Sequence, residues 1–159
     1  MPSATVRRAV TAGALTTAFA LSLSVPASGT AKAHDNDIVR MQFTGYTTID
    51  TSPRFIEPGD SWTTYLDLYT PKKKFAGDAR SRCTAIEADD DLLTTQCSRV
   101  LRLKSGTISL HDTITREDEK PLTAKTAIVG GTGLYNDAEG EGYITLKGDH
   151  IHFDLHVDD

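Results

Sequence analysis

Between Leu92 and Leu103 the odd-numbered positions read Leu93, Thr95, Cys97, Arg99, Leu101 and Leu103. On a β-strand these share one face, so Arg99 is a cation in an otherwise largely apolar row. A turn at Ser105-Gly106 pairs Leu103 with Ile108, Leu101 with Leu110 and Arg99 with Asp112, which puts an anion opposite the cation. Such a pair serves one of two ends. It is a structural ion pair, or it supplies the polar contacts that orient a ligand in an apolar pocket. A strand ending at His111, which would leave Asp112 in solvent, is the third arrangement open to the sequence. On the ligand reading, Tyr65, Asp67 and Tyr135 join Arg99 and Asp112 as candidate contacts.

Cys83 and Cys97 lie symmetrically about Asp90 in the acidic run Asp89-Asp90-Asp91. A hairpin turning there sets the two thiols face to face, and in an exported chain that favours a disulfide over a metal pair or a catalytic thiol. Near the C-terminus His150, His152, Asp154 and His156 alternate with Ile151, Phe153, Leu155 and Val157. Three imidazoles and a carboxylate on one face have the ligand types for zinc, but a solvated outer face explains the alternation as well, and no metal is assigned. Asn136, Asp137, Glu139 and Glu141 lack the ligand order of a calcium loop. No Gly-x-Ser-x-Gly elbow supports a hydrolase triad. No cofactor is expected.

The elements that must position these groups are all strands. Period-2 patterning runs from residue 38 to the end, with no sustained helical spacing of apolar residues. Strands are expected at 38–48, 61–70, 79–88, 92–103, 107–115, 123–129, 139–147 and 150–157. Eight strands joined mostly by short turns predict an all-β fold, an eight-stranded antiparallel β-barrel that leaves no open edge, with a sandwich as the alternative. Gly148-Asp149 sets Lys147 opposite His150. Strand 61–70 carries Trp62, Leu66 and Leu68 on one face and Tyr65, Asp67 and Tyr69 on the other, so one face suits a cavity and the other a subunit contact. The stretches 49–60 and 116–122 are the expected loops at a cavity mouth.

Before the first strand, Arg7-Arg8, an apolar stretch from Ala9 to about Val25 and the small-residue end Ala31-Lys32-Ala33 form the pattern of a secretory signal peptide. Residues 1–33 are therefore expected to be removed, leaving 34–159 as a single β-barrel domain that is secreted and no longer membrane-associated. Cleavage removes Arg7, Arg8 and Lys32 and no acid, which moves the net charge from −5 to −8. Long-range attraction to nucleic acid is disfavoured, and a neutral or apolar small molecule is the expected partner.

Ala127-Ile128-Val129-Gly130-Gly131-Thr132-Gly133-Leu134-Tyr135-Asn136-Asp137-Ala138-Glu139-Gly140 follows a strand, as a dinucleotide loop does, but a β run and no helix comes after it. Its glycines fit positive φ, a bulge or a barrel corner. This stretch resembles the I-V-G-G-T-G-x-F-x-x-A-x-G segment of dirigent proteins, with Tyr135 in the aromatic position. Gly106-Thr107-Ile108-Ser109-Leu110-His111 is similar to the segment that dirigent proteins and allene oxide cyclases carry one strand earlier. The resemblance covers roughly residues 61–147 and is specific around the Gly-Gly-Thr-Gly turn. It implies an eight-stranded barrel, often trimeric, whose apolar cavity directs cyclisation or stereoselective coupling of a small molecule, an isomerase-type activity. A non-catalytic extracellular binding or interaction protein on the same barrel is the alternative function.

Overall fold

The computed structural model describes residues 38–89, 91–117 and 120–158. The expected signal segment and Asp90 lie outside the described residues. Eight strands follow in chain order: β1 Val39–Asp50, β2 Ser61–Tyr69, β3 Phe75–Ala88, β4 Leu92–Leu103, β5 Gly106–Glu117, β6 Leu122–Gly133, β7 Glu139–Lys147 and β8 His150–Asp158. Each pairs antiparallel with its sequence neighbours, and β8 pairs with β1 from Val39↔Val157 to Tyr46↔His150. That closure makes an up-and-down barrel and excludes the sandwich.

Two strands run further than their side-chain pattern suggests. β3 begins at Phe75 rather than residue 79, and β6 continues through the glycine run to Gly133. In β6 the pairing with β5 passes from Leu110↔Ile128 to Ser109↔Gly130, so Val129 is the extra residue of a bulge. Gly130 takes φ of 136°, open to glycine almost alone. At Gly131 a Cβ would stand 2.2 Å from the Tyr135 carbonyl oxygen and 2.3 Å from that of Thr107. The glycines thus bend a barrel strand and do not cradle a phosphate.

Lys147↔His150 and Cys83↔Cys97 pair as the sequence predicts. The β4–β5 hairpin differs. Its turn is Lys104-Ser105, so Leu103 meets Gly106, Leu101 meets Ile108, Arg99 meets Leu110 and Cys97 meets Asp112. Moving a two-residue turn by one position shifts every pair by two, which changes the partners and preserves the faces. Arg99 and Asp112 therefore point inward together although they are not directly opposed.

Inside, an apolar cluster fills one end of the barrel. Leu66, Leu68, Leu101, Ile108, Leu110, Ile144, Phe153 and Leu155 form a fully buried plug. Each such side chain contributes about 1.5–3 kcal/mol through loss of apolar surface to water. One step further along the axis come the buried polar residues Ser81, Arg99, Asp112 and Thr126. Beyond them the wall carries the Cys83–Cys97 disulfide. The interior thus passes from an apolar plug through a polar floor to a mouth.

Candidate functional site

Above the polar floor lies a cavity of about 150 Å³. Alternation on β2, which buries Leu66 and Leu68, turns Thr64 and Trp62 into it. Cys83, Cys97, Thr95 and Arg99 line it from β3 and β4, and Ile114 and Arg116 from β5. Leu146 and Ile151 complete the far wall, while Asp50, Ser52 and Ile56 bring the β1–β2 connection over the rim. Most ligand pockets measure roughly 300–1,000 Å³. This one encloses a ring-sized group and leaves anything larger at the open mouth.

Arg99 is 3% exposed and is held from two sides. Its Nε–H donates to Asp112 Oδ2 at 2.8 Å and Nη2 to Asp112 Oδ1 at 3.0 Å. Across the other hairpin, where Arg99 stands opposite Ser81, Nη1 donates to Ser81 Oγ at 2.9 Å. The Asp112 side chain has no solvent exposure, so this forked pair is desolvated on both sides. Arg99 lines the cavity, and Asp112 braces it from behind. Thr126 completes the layer by donating to the His111 carbonyl at 3.2 Å.

The other expected contacts do not gather there. Tyr65 and Asp67 lie on the opposite face of β2 from Leu66, on the outside of the barrel. The Tyr65 ring sits under the Arg80 guanidinium, 5.0 Å from its carbon, and Asp67 lines an external groove with Tyr46, Tyr69 and Lys73. Tyr135 follows β6 at the plugged end and packs against the apolar cluster. Cavity residues not singled out from the sequence include Thr64, Ile56, Ile114 and Arg116, and in the polar floor below them Ser81. For Ser81 a signal existed, because the symmetry about Asp90 that pairs the cysteines also pairs Ser81 with Arg99.

The histidine row lies on the outer face of β8, with His150 at the turn also bordering the cavity. His152 Nδ1 meets Thr44 Oγ1 at 3.0 Å and His150 Nδ1 meets Asp149 at 3.0 Å. Asp154 is taken by a forked bond from Arg40 at 2.8 and 2.5 Å, which holds its carboxyl below the usual carboxylate range. Among the described residues no three His, Cys, Asp or Glu side chains converge as metal ligands.

No family model and no curated protein matches the chain. Solved structures do. A pyocyanin demethylase superposes with a TM-score of 0.61 at 22% identity, covering 74% of this chain and 99% of that one. An exo-specific intermolecular Diels-Alderase gives a TM-score of 0.57 at 12% identity over 77% of this chain and 97% of its own. A nonspecific heme-binding cyclase that catalyses a cycloaddition during neoabyssomicin biosynthesis gives 0.59 at 14% identity, over 78% of this chain and 64% of that chain. At these identities the likeness is one of fold. The barrel architecture expected from the dirigent and allene oxide cyclase resemblance is present, while the three similar structures are named as a demethylase, a Diels-Alderase and a heme-binding cyclase.

Proposed function

We propose that this protein is an exported barrel that takes an apolar small molecule at its mouth and directs its ring closure. The observation that carries the reading is the layered interior: an apolar plug, a buried polar floor tied by the Arg99–Asp112 pair, and a cavity under the 51–60 connection. Catalysis of this kind needs little acid–base chemistry. It holds a flexible chain in a folded, reactive shape and keeps water away, and the wall of Trp62, Ile114 and the disulfide suits that task. Two of the similar folds belong to cyclising enzymes, which supports the reaction class. Export rests on the N-terminal pattern of residues 1–33. Self-association, as a trimer in the dirigent manner, draws support from the exposed Tyr46 and Phe75 beside Tyr69 on the outer wall.

The test is native mass spectrometry of protein recovered from the medium of a producing culture. An apolar adduct that Thr64→Phe abolishes is expected. The released compound, or its open-chain precursor, should then be converted to a cyclic isomer of equal mass by fresh protein. Release of the compound unchanged from repeated incubations would instead leave a binding protein.

A further inference from the structure

The floor of the cavity carries a donor inventory that the protein does not use up. A guanidinium has five N–H hydrogens and no acceptor. Three from Arg99 are committed, two to Asp112 and one to Ser81. One hydrogen on each terminal nitrogen is left without a described partner, on a side chain that is 3% exposed and borders the cavity. A buried donor is costly to leave unmatched, so the floor is built to receive an acceptor from above.

The charge of that acceptor follows from Asp112. The Arg99–Asp112 pair is already neutral, and an entering carboxylate would leave a net negative charge in a desolvated space. The rim does not offset this penalty: Asp50 and Arg116 line the mouth with opposite charges, and the neighbouring depression that shares Ile56 carries Asp89 and Asp91. A cation would meet N–H hydrogens. A neutral oxygen acceptor on a ring meets neither objection, and the enclosed volume of about 150 Å³ matches one benzene-sized ring.

Building on the function proposed above, the geometry points to a ligand whose inner end is a flat apolar ring or ring-forming segment bearing a neutral carbonyl-type oxygen, which accepts hydrogen bonds from the two remaining N–H groups of Arg99. Anionic counterparts are rejected.

Trp62 is the sole tryptophan of the sequence and lines the cavity, so its emission reports occupancy. Three probes of similar shape separate the terms: acetophenone, ethylbenzene and benzoate, titrated into the intact protein. Acetophenone should bind about tenfold more tightly than ethylbenzene, the increment of one good hydrogen bond, and benzoate most weakly. The double variant Arg99→Met with Asp112→Leu should abolish the preference, so that acetophenone and ethylbenzene bind it equally. Equal binding of ketone and hydrocarbon by the parent protein, or tightest binding of benzoate, overturns the inference and leaves the cavity reading intact. No Trp62 response to any of the three overturns both. The parent ranking needs no variant, so it stands as a test even where the double substitution disturbs folding.

Discussion

Arg99 and Asp112 meet on a diagonal. Their strand partners are Leu110 and Cys97, yet the guanidinium forks onto the carboxylate with bonds of 2.8 and 3.0 Å. A diagonal contact is within reach of a long side chain, and it lets Arg99 also take Ser81 from β3. The arginine therefore ties three strands together at the level where apolar filling ends.

Breaking that tie should cost more than deleting it. Asp112→Ala leaves a buried guanidinium without its counter-charge and is expected to lose about 3–5 kcal/mol, whereas Arg99→Met with Asp112→Leu should stay within about 1 kcal/mol of the parent or exceed it. Urea unfolding of Arg99→Met, Asp112→Leu and the double variant gives the coupling. Additive losses would mean that the two residues do not act as a pair.

The Cys83–Cys97 bridge joins residues 14 apart in sequence, and loop closure in the unfolded chain makes it worth about 3 kcal/mol. Cys83→Ala with Cys97→Ala should lower the urea midpoint accordingly and shift Trp62 emission, since Trp62 stands opposite Cys83 on β2. An unchanged midpoint under reducing conditions would remove the bridge from the stability account.

Much of this architecture was legible in the residues themselves. Strand number and the facing of the cysteines followed from period-2 patterning and from turns whose centres the sequence marks. The Arg99 and Asp112 faces survived a misplaced turn because the error was an even number of residues. What could not be read was depth. Period 2 says which side chains point inward but not how far along the axis filling stops, so it did not separate Leu66, in the plug, from Thr64, in the cavity wall. The alternation on β2 leaves open which of its faces turns inward, and the structure places Tyr65 and Asp67 on the outside and Tyr135 at the plugged end. The length of β6 was hidden because Gly130 and Gly131 carry no side chain to show a pattern.

Acid should weaken the β1–β8 seam at Asp154. The hydrogen bonds from Arg40, with some help from its charge, hold this carboxyl below its ordinary value, so the folded state favours the ionised form. That contribution is complete above the unfolded value, near 3.9, and fades as pH falls through the lower folded one. Asp154→Asn should flatten the loss of stability below about pH 4 relative to the parent, with little difference in slope near neutrality. A parallel pair of acid-unfolding curves would show that the pair contributes nothing there.

Neighbouring residues on β2 offer the sharpest test of which side of the wall is functional. Thr64 borders the cavity, and Tyr65 lies outside beneath Arg80. Thr64→Phe places a ring in a space of about 150 Å³ and should abolish the Trp62 response to acetophenone. Some loss of stability is expected from it, of about 1–3 kcal/mol if the ring is crowded. Tyr65→Ala removes a larger side chain from the exterior and should leave acetophenone affinity within about twofold, since no wall of the cavity moves. The converse pattern, with binding kept in Thr64→Phe and lost in Tyr65→Ala, would transfer the site to the outer groove that Asp67 shares with Tyr46 and Tyr69.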